Sequence, residues 1–328
     1  MRILVMGAGA IGGYLGCRLQ QAGEDVIFCA RGENLRVLQE HGLAVESPRG
    51  DATIPVRASA DPRQHAPYDL VIFAVKSYHT DEAARALAGC LAPEGVVLTV
   101  QNGIENEARL VEIFGRRAVM SGNSLVGGEL VAPGRIVHTS NGWVQLGELD
   151  GSMTERLRGL GASFERAGIF AGFMTDWVTA RWEKLIGNCA FNTVGALGRC
   201  QVGRIMDAPE AVELLRRLMW ESLQVAHAEG AKIPETFIDR GLAAAAERLR
   251  DNRPSTLQDL ERGRPLERDA ITGAVLRAAG RHGIDVPVVR AVDALLGLLS
   301  PDSRDSPRAQ RQERLTNRQR ASGINREP

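Results

Sequence analysis

The chain has 328 residues, 44% of them hydrophobic and 24% charged, and its 40 basic residues are matched by 40 acidic ones. A length of this order suggests about two domains. The composition is that of a folded globular protein, not of a disordered or collagenous chain, and the balance of charge gives no positive field to attract nucleic acid. The longest apolar runs, such as 70–75, fall far short of the roughly 20 residues that a membrane span needs.

In chain order, residues 2–6 are apolar and β-branched and predict a buried strand. The glycine-rich stretch Gly7-Ala8-Gly9-Ala10-Ile11-Gly12-Gly13 follows, then a helix to Gln21 closed by Gly23. Residues 26–30 predict a second strand, and 70–75 and 96–100 two more, with an alanine-rich helix over 80–91 between them. Alternating strands and helices indicate a parallel sheet with right-handed crossovers. Residues 119–126, 135–138 and 143–146 read as strands separated by Gly, Pro and Asn turns, which fits an antiparallel extension of that sheet.

From about Asp176 the pattern turns helical, with helices expected over 176–196, 209–229, 234–250, 266–282 and 286–299. Pro209 and Pro234 sit where first-turn prolines belong, and Gly230 and Gly283 where helices stop. The fold class is therefore α/β: an N-terminal Rossmann-type dinucleotide-binding domain over 1–175, followed by an all-helical C-terminal domain over 176–300. Residues 301–328 hold seven arginines and four acids with almost no apolar residues, a composition expected of a disordered tail.

The five cysteines form no CxxC pair and leave one over, so reduced thiols and a cytoplasmic location are expected. The start of the chain runs straight into a strand pattern, without the charged and apolar regions of a signal peptide. The six histidines show no metal-binding spacing, and no metal site is expected.

The glycine-rich stretch has the context that a dinucleotide-binding turn requires, with a strand immediately before it and a helix immediately after. Gly7 would allow the tight turn, Gly9 the approach of the pyrophosphate, and Gly12 the close packing of helix on strand. Ala10 and Ile11 complete the first helical turn, whose free N–H groups favour anions. The next strand ends Cys29-Ala30-Arg31. A cation at this position pairs with a 2′-phosphate and favours NADPH/NADP, whereas an acid there would hold the free ribose of NAD. Glu33 is expected on the following helical turn, facing solvent.

Only three of the 40 basic residues are lysine: Lys76, Lys184 and Lys232. Lysine alone among them readily gives up a proton in a protein. Lys76 ends a strand at the carboxyl edge, where Rossmann ligands bind, and Lys232 reads as a surface residue. Lys184, Asn188 and Asn192 follow at four-residue intervals, which places them along one face of an α-helix. Asparagine gains nothing on an exposed helix, so this face suits a polar ligand.

Taken together, Gly7–Gly13, Ala30-Arg31-Gly32, Val75-Lys76-Ser77, Gln101-Asn102-Gly103 and Arg181-Trp182-Glu183-Lys184-Leu185 resemble the ketopantoate reductase family. The resemblance runs to about residue 299. It implies NADPH-dependent reduction of the C2 carbonyl of 2-dehydropantoate (ketopantoate) to pantoate, on the route to pantothenate and coenzyme A, at a cleft between the domains. By position it implies that Arg31 and Lys76 hold the 2′-phosphate and that Asn102 lies near the nicotinamide. Lys184 becomes the general acid, Asn188 and Asn192 substrate ligands. Asn252 and Ser255 match a substrate-binding segment, and Glu267 a second catalytic position that contacts the substrate hydroxyl.

The residues leave alternatives open. Ser255 also suits a helix cap, and Glu267 a plain salt bridge with nearby arginines. The sequence departs from the family at Asn192-Thr193-Val194, where Asn-Pro-Leu is frequent, and at Pro254, where a small hydroxyl residue is usual. Another branched or aromatic 2-keto acid is therefore an alternative substrate, and a non-catalytic NADP-sensing protein an alternative class. The full polar set argues against the sensor, which needs only the cofactor half. Cys189, between two of the asparagines, reads as packing rather than a nucleophile. The expected partner is a small-molecule 2-keto acid, with neither nucleic acid nor membrane. A homodimer stays open, because the sequence gives no oligomeric state.

Overall fold

The first strand is β1, Arg2–Met6, in the computed structural model, which describes residues 1–139 and 143–299. The tail expected over 301–328 lies outside the described residues. After β1 come α1 (Ala10–Gln21), β2 (Asp25–Cys29), α2 (Gly32–His41) and three short strands, β3 (Leu43–Glu46), β4 (Ala52–Ile54) and β5 (Arg57–Ser59). Next are β6 (Tyr68–Phe73), α3 (Thr80–Ala86), β7 (Leu91–Thr99), α4 (Asn106–Phe114) and β8 (Val119–Ser124). The series continues with β9 (Gly128–Ala132), β10 (Arg135–His138), β11 (Trp143–Glu148), α5 (Glu155–Arg166), β12 (Phe170–Phe173) and α6 (Trp177–Gly187).

The main sheet has the order β12-β11-β8-β7-β6-β1-β2-β5. It is parallel from β5 to β8; β11 then pairs antiparallel with β8. β1 is central, with Val5 opposite Phe28 on one side and Ile72 on the other. The chain leaves β1 toward β2 and later returns on the other side as β6. The carboxyl end of β1 is thus the switch point at which open α/β sheets bind ligands.

A second sheet, ordered β4-β3-β10-β9, lies within the same unit. The antiparallel extension expected from the sequence is met by β11, whereas Arg135–His138 pairs in parallel with β3 in the second sheet. Apart from Arg135–His138, which was expected as a strand, the strands of this sheet are short and gave little local signal. The alanine-rich helix also stops earlier than expected, at Ala86. The carbonyl of Cys90 already accepts from the Tyr68 N–H, and this sheet pairing displaces the helix that alanine favours.

Both sheets press on α1. Eight consecutive residues, Gly12 to Leu19, are buried, so the helix shows no polar stripe. A Cβ at Gly16 would lie 2.6 Å from Phe28 and 2.7 Å from Val5; one at Gly13 would lie 2.4 Å from Ile136 of β10. These glycines make α1 thin enough to sit between two layers at native density.

Packing divides the described chain into two units. The first is Met1–Leu185 with Ala226–Ile233 and Asp269–Ala274; the second takes Ile186–Val225, Pro234–Arg268 and the residues from Val275 onward. The second is helical: α7 (Thr193–Gly198), α8 (Val202–Met206), α9 (Pro209–Ala228), α10 (Thr236–Arg248), α11 (Ser255–Glu261), α12 (Ala274–His282) and α13 (Pro287–Leu299). Part of α9 belongs to the first unit. Gly230 and Gly283 follow α9 and α12 with φ of +90° and +65°, as their stop positions require.

Candidate active site

The glycine-rich turn is built by backbone proximity. Gly7 has φ +104°, and a Cβ there would lie 2.8 Å from the backbone N of Val75. At Gly12 a Cβ would lie 2.3 Å from the carbonyl oxygen of Gly7 and 2.9 Å from Val5. Gly9, the N-cap of α1, is the opposite case: nothing stands within 4 Å of where its Cβ would be. Closure at Gly7 and Gly12 with open space at Gly9 is the shape a pyrophosphate needs. The N–H groups of the first helical turn, at Ala10, Ile11 and Gly12, have no intrahelical acceptor and can face it. The turn is braced by Asn34 of α2, whose amide donates to the Ala8 carbonyl (3.0 Å) and accepts from the Gly134 N–H (2.8 Å).

Arg31 stands exposed just beyond the carboxyl end of β2 and pairs with Glu82 of α3 at 2.9 Å. This arginine holds the Glu82 carboxyl below its usual range. Glu33 faces solvent and pairs with Arg36. Lys76, half-buried, follows β6 on the same carboxyl edge.

Asn102 lies beyond β7 and is held by a buried network that sequence reasoning missed. The Gln101 amide donates to the Val75 carbonyl (2.9 Å) and to Thr80 Oγ1 (2.8 Å). Thr80 donates in turn to Asn106 Oδ1 (3.1 Å), and the Asn106 amide donates to the Asn102 carbonyl (2.7 Å). The network ties the Lys76 turn to the Asn102 turn. Gln101 stood in the quoted motif, but nothing local marked Thr80 and Asn106 as its partners.

Lys184 lies on α6, half-buried, with Nζ donating to the Ser124 carbonyl at 2.6 Å. An ammonium has three donors, and this bond fixes the direction of the group. Lys232 is exposed, as expected.

In the second unit Asn192 is buried, and its amide donates to Ser255 Oγ at 3.2 Å. That contact joins two of the expected substrate residues. Ser255 is not the helix cap: Pro254 occupies that position. Asn252 is exposed, and its backbone bonds Leu249 and Val202. Glu267 is buried.

The uniform α-helical step expected through Asn192 does not hold. Asn188–Asn192 is a π-helical turn, and Asp269–Gly273, just after Glu267, is another. A wider turn carries residues four apart closer to one full revolution, so Asn188 and Asn192 align more nearly than α geometry gives. Such turns are rare and concentrate at functional sites. Cys189, inside the first of them, is buried with its thiol pushed up to about 12 by desolvation, the behaviour of a packing residue.

A shallow groove of about 450 Å³ beside Trp220 and Ile238 contains none of the expected site residues. Among the described residues no cluster suits a metal ion, and no helix is long and apolar enough to cross a membrane.

Known proteins resemble this chain in sequence and fold. The family described as ketopantoate reductase PanE/ApbA matches residues 3–151, and its C-terminal domain matches residues 176–300. A 2-dehydropantoate 2-reductase of Halobacterium salinarum is 33% identical over 305 residues, covering 92% of this chain and 100% of its own. Another, from Archaeoglobus fulgidus, is 33% identical over 291 residues, covering 89% and 95%. Among solved structures, a 2-dehydropantoate 2-reductase from Geobacter metallireducens superposes with a TM-score of 0.87 at 34% identity, covering 92% of this chain and 100% of its own. A D-mandelate dehydrogenase solved with NADH reaches 0.81 at 22% identity over 91% and 98%, which is likeness of fold alone.

Proposed function

The chain belongs to the ketopantoate reductase family, an oxidoreductase family acting on CH–OH groups, and from that premise we propose that it reduces 2-dehydropantoate to pantoate with NADPH in the cytoplasmic synthesis of pantothenate and coenzyme A. The observation that carries this reading is Lys184: a rare lysine, half-buried, its ammonium aimed by the Ser124 carbonyl, in the unit that also holds the glycine-rich turn.

Gly7, Gly9, Ala10, Ile11 and Gly12 hold the pyrophosphate, and Arg31 and Lys76 the 2′-phosphate. Asn102 orients the nicotinamide end through its backbone tie to Asn106. When bound, the nicotinamide would supply the hydride for reduction of the C2 carbonyl. Lys184 gives its proton to the oxygen that becomes negative there, and its charge stabilises that oxygen beforehand; arginine can do only the second. Asn188, Asn192, Asn252 and Ser255 bind the polar groups of the keto acid, with Asn192 and Ser255 already in contact. Glu267 accepts from the substrate hydroxyl.

The test is loss of NADPH absorbance with ketopantoate, beside a panel of branched and aromatic 2-keto acids and with NADH as control. Saturable turnover, with ketopantoate preferred over the panel and NADPH over NADH, is expected. Preference for another keto acid would replace the substrate, and preference for NADH would remove the role given to Arg31.

A further inference from the structure

We infer that Arg181, with Glu107 as its counter-charge, is a positioning residue for Lys184 that fixes the lysine against both β8 and the Asn102 turn; this rests on the role proposed for Lys184. Arg181 is among the largest fully buried side chains, and Glu107 is buried with it. The guanidinium forks: Nη2 donates to the Gly103 carbonyl at 2.5 Å and Nη1 to the Gly122 carbonyl at 3.2 Å. Its Nε lies 3.0 Å from Glu107 Oε1, but off the line of a hydrogen bond. Ser121 of β8 donates to the same oxygen at 2.8 Å.

The contacts run in register along the seam between α6 and β8. The Asn123 amide donates to the Ala180 carbonyl (3.1 Å), Arg181 to Gly122 and Lys184 to Ser124. Arg181 and Lys184 are three apart on a helix, hence neighbours on one face. Gly122 and Ser124 are two apart on a strand, so their carbonyls point the same way. The two long cations grip one strand edge one step apart, and Arg181 also reaches Gly103, the residue after Asn102. Whatever holds Asn102 is thereby linked to whatever holds Lys184.

Stability does not require this solution. A buried ion pair is weak grounds for stability, and apolar side chains of similar volume often serve as well or better. The planar fork, by contrast, meets the two carbonyls through two separate nitrogens held in a fixed geometry, which methionine lacks and lysine's single ammonium does not reproduce.

The test is a double-mutant cycle between Arg181→Lys and Lys184→Ala, read in kcat and KM with NADPH affinity measured by fluorescence. Arg181→Lys should lower kcat by about 10²-fold, the cost of a displacement of about 1 Å at a reacting group, while NADPH affinity stays within about twofold. In the Lys184→Ala background the same change should cost nothing further, because residues that act as a unit are not additive. Losses that multiply, or an equal loss of NADPH affinity, would overturn the inference.

If Arg181→Lys fails to fold, Glu107→Gln replaces it with the same expectations. The substrate assignment is judged separately by wild-type turnover of ketopantoate. If that is absent, the seam is read without substrate from the three resonances of lysine-labelled protein. Glu107→Gln should then shift the Lys184 signal, identified by its loss in Lys184→Ala, and speed exchange of its ammonium protons while the Lys232 signal stays in place. An unchanged Lys184 signal would reject the seam's role.

Discussion

The glycine-rich turn and the α6–β8 seam solve the same problem with opposite materials. At the turn, side chains are removed so that backbone can approach backbone: the Cβ that Gly12 lacks would lie 2.3 Å from the Gly7 carbonyl. At the seam, two of the longest side chains in the chain are kept, and a buried guanidinium bridges two carbonyls. A backbone-built site is specified by a few adjacent residues. A side-chain-built site is specified by partners such as Lys184 and Ser124, 60 positions apart.

The strongest way to break this contrast is Lys184→Arg. Arginine keeps the charge at the Ser124 carbonyl but cannot return a proton at working pH. If the seam exists to aim a proton donor, kcat should fall by about 10² to 10⁴-fold, with NADPH affinity unchanged. Steady-state kinetics with fluorescence titration checks both; a variant retaining most of its kcat would show that charge alone suffices there.

The turn is best divided by two alanines. Gly12→Ala places its methyl against the Gly7 carbonyl and Val5, and should cost about 1–3 kcal/mol of stability by overpacking, with NADPH binding lost. Gly9→Ala meets nothing in the protein, so stability should hold within about 1 kcal/mol while NADPH binds at least tenfold more weakly. Urea unfolding and NADPH titration separate the two. Equal destabilisation by both would mean that the open space at Gly9 is not a ligand's.

Those two materials also decide what could be read from sequence. The parallel core, the turn and most helices were legible because each rests on a local run: apolar strands, a glycine spacing, a proline or glycine at a helix end. The place of Arg31 just after a strand was legible for the same reason, because the apolar run of β2 ends there. The second sheet was not, since β3, β4 and β9 are short and earn their place by closing over α1. The π turn at Asn188–Asn192 was not, because nothing in a four-residue spacing distinguishes α from π. Arg181 stood in plain view, yet one of 37 arginines carries no mark of burial.

The far side of α1 extends the contrast, since it too is built of side chains. His138 of β10 is buried, stacked on Tyr14 at 3.9 Å, with Nδ1 2.8 Å from Ser47 Oγ. Desolvation, with Arg18 and Arg49 adding to it, lowers its pKa to about 4. The folded state therefore holds His138 neutral while the unfolded chain takes up a proton near its ordinary value of 6.5. This contribution to stability is complete above pH 6.5 and falls as pH drops toward 4, by at most about 1.4 kcal/mol per pH unit. Urea midpoints at pH 7 and pH 5 should differ less in His138→Phe than in the wild type. Equal differences would remove His138 as the cause.

The smallest expected effect lies where the two materials meet, at Arg31. In the proposed reading the turn offers backbone to the pyrophosphate and Arg31 meets the 2′-phosphate, yet Arg31 already pairs with Glu82 at 2.9 Å. A phosphate arriving at Arg31 has to displace a carboxylate of like sign to itself. If Arg31 holds the 2′-phosphate as proposed, Glu82 weakens NADPH and leaves NADH, which carries no 2′-phosphate, nearly untouched. Both partners are exposed, so solvent screens the pair and the effect is modest. Glu82→Gln should tighten NADPH binding a few-fold, leave NADH within error, and lose most of its advantage at high salt. Tightening of both dinucleotides alike would locate the effect of Glu82 elsewhere than at the 2′-phosphate.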